Sequence, residues 1–242
     1  MSVSRGVAVV IGAGPGLGMS VAHRLGREGH TVALVSRSGA RHAAYVSSLA
    51  DAGVRAEAFA ADVRDRDRLL AVLDTVAERH GPAEVVYYGP GSTDPGSHPT
   101  PILQAGADDV RRAMEWAYPA LDVAQRVLPG MIERGEGGLL FATGLSAVTP
   151  MPALGNLAIL SASLRTYAVT LNAALAGTGV YAGCLVIGGV VERGDIHGMI
   201  SSQPGRYGPV AGMTLDPDAL AEAAWEMYAT RDRAEATFSV FG

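Results

Sequence analysis

The chain has 242 residues and a formal net charge of −5 at pH 7. This length suits one α/β domain with a full core, and the acidic balance gives no general attraction to nucleic acid. No apolar run approaches the roughly 18 residues of a membrane span, so neither a nucleic-acid nor a membrane partner is expected. Cys184 is the only cysteine; without an intramolecular disulfide, a reducing compartment is expected, and the cytoplasm is the predicted location.

Short apolar runs alternate with amphipathic segments along the whole chain. In chain order, strands are predicted at 7–11, 31–36, 55–60, 84–88, 138–143, 180–187 and 237–241, and helices at 17–29, 41–52, 66–80, 108–134, 157–176 and 216–231. Apolar runs without polar alternation are typical of strands covered on both faces. The alternation therefore predicts an α/β fold with a doubly wound parallel sheet, in a single domain over 1–242.

Two connections break this rhythm. Residues 89–106 follow the fourth strand, and residues 188–214, which are rich in glycine, follow the sixth. Both leave the carboxyl ends of strands, where open α/β sheets bind ligands. Long connections inside a compact domain are usually functional. We interpret 188–214 as a lid or substrate loop, and an inert insertion is the alternative.

Three glycines mark the turn from the first strand into the first helix. Gly12, Gly16 and Gly18 allow a tight turn that brings backbone N–H groups close to a pyrophosphate, and Leu17 lies among them. The positive end of the helix dipole adds to the attraction for an anion. A glycine pattern between a strand and a helix is much more specific than the pattern alone. It predicts a dinucleotide site on a Rossmann-type sheet.

The second strand ends in Ser36-Arg37-Ser38. An acidic residue at this point would bind the ribose 2′-hydroxyl of NAD, whereas an arginine suits the additional phosphate of NADP. The neighbouring serine hydroxyls could donate to the same phosphate, and an ordinary surface arginine is the alternative. We therefore expect NADP(H) as the cofactor, with Ser36 and Arg37 in its site.

The spacing Gly12-x-x-x-Gly16-x-Gly18, the pair Asp62-Val63 after the third strand and the order of elements resemble the short-chain dehydrogenase/reductase family over nearly the whole chain. The resemblance implies that Asp62 and Val63 contact the adenine. It also implies cofactor contacts from Gly89 and Gly188, which follow the fourth and sixth strands. Members commonly pair two long helices, so a homodimer or homotetramer acting on a small molecule is expected.

The family's catalytic pair has no counterpart in this sequence. The chain contains no lysine, since all 19 basic residues are arginine. The family segment Tyr-Ser-Ala-Ser-Lys resembles residues 160–164, which places Leu160 and Leu164 where the tyrosine and lysine stand. A phenol with a pKa near 10 is a poor acid–base group at neutral pH unless a nearby cation stabilises its anion. Two leucines can supply neither group, so the active site is predicted to be atypical.

Other side chains are candidates for the missing chemistry. The family's catalytic serine falls at Ala147, one position from Ser146, which is the predicted catalytic residue. A shift of one residue would pair Ser161 with Arg165 as a weaker acid. The six histidines show no metal-ligand spacing, so no metal is expected. The substrate pocket is predicted to contain Tyr88, Trp116, Leu160, Leu164, His197 and Tyr207.

Three functions remain open at this stage. The preferred reading is an NADP(H)-dependent oxidoreductase with a nonstandard proton donor, or with a substrate that needs none. The second is a non-redox isomerase, dehydratase or cyclase that uses the family's substrate pocket for a different reaction. The third is a cofactor-sensing protein without catalysis. Fold resemblance does not choose among them, because function resides in the site.

Overall fold

The computed structural model describes residues 5–207 and 210–241. The strands of its main sheet are β1 Val7–Ile11, β2 Thr31–Ser36, β3 Ala56–Ala60, β4 Ala83–Tyr88, β5 Gly137–Gly144, β6 Val180–Gly188 and β9 Glu235–Ser239. These seven strands lie in the order β3-β2-β1-β4-β5-β6-β9, and every neighbouring pair is parallel. The predicted single-domain α/β fold with a Rossmann-type doubly wound sheet is confirmed.

Helices cover both faces of this sheet. They are α1 Leu17–Arg27, α2 His42–Asp51, α3 Arg66–His80, α4 Ala107–Met114, α5 Tyr118–Arg134, α6 Gly155–Ala174, α7 Asp195–Ser201, α8 Pro204–Tyr207 and α9 Pro217–Thr230. One core cluster joins the sheet to α3, α5 and α6, and the other joins it to α1 and α9. In the described ranges, no helix is long and apolar enough to cross a bilayer.

The strand order reverses between β1 and β4, and this reversal positions the site. The chain runs outward from β1 to β3 and then returns across the sheet to β4. The N–H groups of Gly12 and Ala13 both donate to the Val35 carbonyl at 3.0 Å, and Gly89 N–H donates to the Ile11 carbonyl at 3.0 Å. These bonds fix the first residues beyond β1 and β4 to the neighbouring strands β2 and β1. A crevice opens at such a point in doubly wound sheets.

The single helix predicted over 108–134 is wrong in one respect, because the helix is interrupted between α4 and α5. Pro119 has no N–H to donate to the preceding turn, and Ala120 N–H donates to the Ala117 carbonyl at 3.0 Å. The Trp116 carbonyl is therefore left without its helical partner. The Tyr88 hydroxyl donates to that carbonyl at 2.6 Å and satisfies it.

We expect Tyr88→Phe to destabilise the fold by about 1–3 kcal/mol, because it leaves the Trp116 carbonyl without a donor. Tyr88 is only 1% exposed, so water cannot easily replace the hydroxyl. Chemical denaturation measures the difference. The matched control is Tyr45→Phe, whose hydroxyl has a long 3.5 Å contact with Arg41 and should change stability by less than about 0.5 kcal/mol. Equal effects of the two substitutions would contradict this role for Tyr88.

Two further predictions differ from the structure. The last strand covers Glu235–Ser239 instead of 237–241, because Cys184 N–H already pairs with the Ala234 carbonyl at 2.9 Å. Glu235 is the first residue of this strand, and its carboxylate pairs with Arg165 of α6. The 188–214 connection is also more regular than an ordinary loop. It contains α7, α8 and a short parallel pair, β7 Val190–Val191 with β8 Thr214–Leu215.

Candidate functional site

A cleft of about 890 Å³ lies at the carboxyl ends of the central strands. It begins at the turn after β1 and extends past the end of β4 to α6. The residues predicted to bind the cofactor all line it. They are Gly12, Gly16, Leu17, Gly18, Ser36, Arg37, Asp62, Val63, Gly89 and Gly188.

At the glycine turn after β1, Gly12, Gly16 and Gly18 are packed too closely against neighbouring backbone to carry a side chain. Gly12 has φ +96°, and a Cβ on it would lie 2.7 Å from the backbone of Gly89. A Cβ on Gly18 would overlap the Gly12 carbonyl oxygen. Helix α1 begins directly after this turn at Leu17, so its first N–H groups have no acceptor within the helix. The turn has the shape and the positive potential that a pyrophosphate needs.

The turn that follows β7 packs directly on the glycine turn. A Cβ on Gly16 would lie 2.9 Å from the Glu192 carbonyl oxygen. The next residue, Arg193, adopts a left-handed conformation with φ 64°. Its guanidinium donates to Ser20 of α1 at 3.2 Å and pairs with Asp218 of α9 at 2.8 Å. These contacts attach the turn after β7, which forms one wall of the cleft, to α1.

The end of β2 presents Arg37 to the cleft. Its guanidinium pairs with Asp94 of the connection after β4. Ser36 donates its hydroxyl proton to the Ser38 carbonyl at 3.1 Å and lies 2.8 Å from His42 Nε2, so its proton is already engaged. Ser38 Oγ accepts from the Ala40 N–H at 3.2 Å and keeps its proton for another acceptor. Of the two serines, Ser38 is therefore better placed to donate to a ligand.

Asp62 lines the cleft and is fixed by Arg64. Its two carboxylate oxygens accept from the Arg64 backbone and guanidinium at 2.7–3.0 Å. The Arg64 guanidinium holds the pKa of the Asp62 carboxyl below its usual range. The same guanidinium lies 5.0 Å from the centre of the Trp116 ring, a cation–π distance. Trp116 lines the cleft as predicted.

The opposite end of the cleft is mainly apolar. Leu160 and Leu164 both line it, as predicted, and Leu164 is only 5% exposed. They lie four residues apart on α6 and so share one face of the helix. Further apolar side chains line the cleft: Leu145, Met151, Leu154, Leu157, Ile196 and Ile200.

Two serine hydroxyls interrupt this apolar surface. Ser146 and Ser161 line the cleft on either side of Gly144. A Cβ on Gly144 would lie 3.2 Å from Ser161 Oγ and 3.5 Å from Ser146 Oγ, so both hydroxyls approach one point. Ser161 was weighed only as a partner of Arg165. That partnership does not occur, because Arg165 pairs with Glu235 at 2.6 Å.

The two tyrosines at the end of β4 hold their protons firmly. Burial raises the pKa of both the Tyr87 and the Tyr88 phenol above the ordinary range. The Tyr88 proton is donated to the Trp116 carbonyl. The Tyr87 hydroxyl lies so close to Gly89 that a Cβ there would overlap it. Tyr88 lines the cleft, as predicted, but its hydroxyl is already engaged.

One predicted pocket residue that the structure describes is not placed at the cleft. His197 lies on α7 but is not among the described residues that line the cleft. Ile196 and Ile200 line it instead, and their spacing of four residues marks the inward face of this helix. That apolar spacing was the signal available in the sequence. Tyr207 ends α8, and its side chain lies outside the described part of the chain.

Over 5–207 and 210–241, His, Cys, Asp and Glu side chains form no group of three that could hold a metal. The site is thus a cleft at the switch point of a parallel sheet, with a glycine turn and an arginine at one end. These features are typical of dinucleotide-binding α/β proteins. The family model described as short chain dehydrogenase matches residues 6–195. The chain belongs to this family.

The ketoacyl reductase HetN of a Nostoc species is 28% identical over 195 residues, covering 80% of this chain and 67% of that protein. A ketoacyl reductase-like protein of Streptomyces coelicolor is 32% identical over 136 residues, and the match spans 55% of this chain and about half (51%) of that relative. Among solved structures, an actinorhodin polyketide ketoreductase with NADPH superposes with a TM-score of 0.85. That match covers 98% of both chains at 22% identity, which establishes the fold alone.

Proposed function

We propose that the protein is an NADP(H)-dependent oxidoreductase that acts on a small molecule without the Tyr–Lys acid system of its family. One observation carries this proposal. One cleft joins the residues predicted to bind the cofactor to its apolar end, where Leu160 and Leu164 lie on one face of α6. This apolar end is called the reactive end below. Relatives and a structural neighbour that are named as reductases agree with the class of reaction.

The residues at the cofactor end fit a phosphorylated dinucleotide. A Cβ at Gly12, Gly16 or Gly18 would meet neighbouring backbone, and the positive dipole end of α1 suits an anion. Arg37 lies at the end of β2, where a 2′-phosphate would be recognised. Ser38 adds a hydroxyl proton beside it. When bound, the nicotinamide supplies or accepts the hydride.

The reactive end favours substrates that need little help from an acid. Ser146 and Ser161 can donate hydrogen bonds to a developing oxyanion, but an unassisted hydroxyl is a poor proton donor. Reduction is therefore easiest when the developing negative charge is delocalised, as in a conjugated enone, or when the hydride neutralises an existing positive charge, as in an iminium ion. The leucines around the serines suit an apolar substrate. They would also suit a cofactor-binding protein without catalysis, which is the alternative.

Calorimetric titration with NADPH and NADH tests the cofactor assignment, and the absorbance of reduced nicotinamide then reports oxidation by a panel of acceptors. We expect NADPH to bind more tightly, and conjugated enones or cyclic iminium ions to oxidise it. A protein that binds neither nucleotide would refute the proposal. Binding without oxidation by any acceptor would favour the non-catalytic alternative.

We also propose a homodimer or homotetramer formed through α5 and α6. Six apolar positions of these two helices are not free for such a contact. Ala124, Ala168 and Leu175 are buried in the core, and Leu121, Leu128 and Leu171 pack against it. Tyr118 and Ile132 are instead exposed on α5, and Ile159 is exposed on α6. Tyr118 and Ile132 are about four turns apart and share one face.

Light scattering at micromolar concentration should give at least twice the 24.9 kDa mass of one chain. Ile132→Glu should lower that mass, because a buried charge opposes a self-complementary contact. The control is Leu103→Glu, which changes an even more exposed apolar residue in a loop and should leave the mass unchanged. A monomeric parent would contradict the proposal.

A further inference from the structure

The cation expected to recognise the cofactor phosphate is already paired. Arg37 Nη1 donates to Asp94 Oδ2 across the mouth of the cleft, and the Arg37 side chain remains 46% exposed. Asp94 belongs to the 89–106 connection, so the pair joins the end of β2 to the segment that follows β4. The Arg37 guanidinium holds the pKa of the Asp94 carboxyl below its usual range, which keeps the carboxylate ionised at neutral pH.

The loop around Asp94 presents the carboxylate in a defined position. The Asp94 backbone N–H donates to Ser92 Oγ at 3.0 Å. Its carbonyl oxygen accepts from the Ser97 N–H at 2.9 Å. The turn is thus tied on both sides of Asp94, and its side chain faces Arg37 without further rearrangement.

The same connection continues to the reactive end of the cleft. Thr100 N–H donates to the buried Asn156 Oδ1 at 2.8 Å, and Ile102 N–H donates to the Pro152 carbonyl at 2.8 Å. A Cβ on Gly155 would lie 2.5 Å from the Ile102 backbone. The connection therefore sits on the first turn of α6, the helix that carries Leu160 and its neighbours.

We propose that Asp94 sets the preference of this chain between NADP(H) and NAD(H) by occupying Arg37 until a 2′-phosphate displaces it. This inference rests on the proposed function, since it requires a nucleotide in the cleft. Carboxylate and phosphate offer the same kind of oxygen acceptors to a guanidinium. The phosphate carries more negative charge than the carboxylate, so it takes Arg37 in the exchange. NADH lacks this phosphate and leaves the pair intact.

The exchange also connects the cofactor phosphate to the substrate end. Once Asp94 is released, the 89–106 connection loses its attachment to β2 while it stays seated on α6. NADPH, but not NADH, should therefore loosen the wall of the cleft around residues 92–97. Because coupling between two sites is reciprocal, a ligand that holds this connection against Arg37 should weaken NADPH binding more than NADH binding.

Asp94→Asn tests the proposal, because it removes the competing charge and keeps the shape of the side chain. Calorimetry should show NADPH binding about two- to fivefold more tightly, the range expected when an exposed ion pair no longer competes. NADH affinity should change less than about twofold, because NADH makes no use of Arg37. Amide hydrogen exchange over 92–97 should rise on addition of NADPH to the parent, but not on addition of NADH.

Two controls separate this effect from a general change in charge. Asp108→Asn makes the same charge change at an exposed site on α4, where Asp108 pairs with Arg111, and should leave both affinities unchanged. In an Arg37→Ala background, Asp94→Asn should no longer favour NADPH. Equal tightening of NADPH and NADH, or a gain that persists without Arg37, would overturn the proposal. If the parent protein prefers NADPH but Asp94→Asn leaves the ratio of the NADPH and NADH affinities unchanged, this inference is refuted and the proposed function is not. If the parent protein binds neither nucleotide, both are refuted.

Discussion

We expect the parent protein to reduce simple ketones with NADPH at close to background rates, and the double variant Leu160→Tyr with Leu164→Lys to do so about 10²–10⁴ times faster. Ketone reduction needs a hydride on carbon and a proton on oxygen. The two leucines stand four residues apart on α6 and line the cleft, so a tyrosine and lysine there would face the same substrate. The Tyr88 phenol cannot replace them, because its proton is donated to Trp116. Steady-state assays on a ketone panel measure the gain.

The design must allow for burial of the new lysine. Leu164 is only 5% exposed, so a charge there is costly unless the new phenol and the cofactor compensate. Thermal unfolding should confirm that the variant is folded. Leu157→Tyr with Leu164→Lys is the matched control, since it places the phenol about one turn away on the same cleft wall. Rapid ketone turnover by the parent would contradict the account and point to Ser146, Ser161 or the 188–214 segment as the donor.

Arg37→Ala is expected to weaken NADPH binding about 10- to 150-fold and to leave NADH binding nearly unchanged. A hydrogen bond to a charged group contributes about 1.5–3 kcal/mol, which corresponds to that range. Exposure of the side chain and its pairing with Asp94 place the expected value toward the lower end. Calorimetry with both nucleotides provides the comparison.

Arg27→Ala is the matched control for this substitution. It removes the same charge from the exposed last turn of α1, outside the residues that line the cleft. Its effect on either nucleotide should be small. An equal loss of NADPH and NADH affinity in Arg37→Ala would show that Arg37 recognises something other than the 2′-phosphate.

The sheet could be predicted from the sequence because its signals are local. The run Val7–Ile11 is apolar throughout and is buried throughout. The glycine turn follows from residue types within one short segment. Pro119 is a local signal for the helix break near Trp116. By contrast, the hydroxyl that satisfies the freed Trp116 carbonyl belongs to Tyr88, which lies 28 residues earlier in the chain. A periodic pattern over 108–134 contains no trace of that partner.

The candidate site shows the same division between local sequence signals and contacts between residues far apart in the sequence. Gly12, Asp62 and Gly188 could be placed at the cleft because each follows a strand, and parallel strands end at one edge of a sheet. His197 was chosen for its chemistry, whereas the orientation of α7 turns its neighbours Ile196 and Ile200 toward the cleft. Sequence separation also conceals ion pairs. Arg37 and Asp94 are 57 residues apart, and no pattern in either segment predicts their contact.

The most direct measurement is a single-turnover assay on the parent protein loaded with NADPH, using a conjugated enone and its saturated ketone as alternative acceptors. The enone delocalises the developing charge, whereas the ketone requires an acid at the position now held by Leu160. The account predicts that the enone oxidises the bound NADPH and that the ketone does so at close to background. Oxidation by the ketone as fast as by the enone, or failure of the protein to retain NADPH, would contradict it.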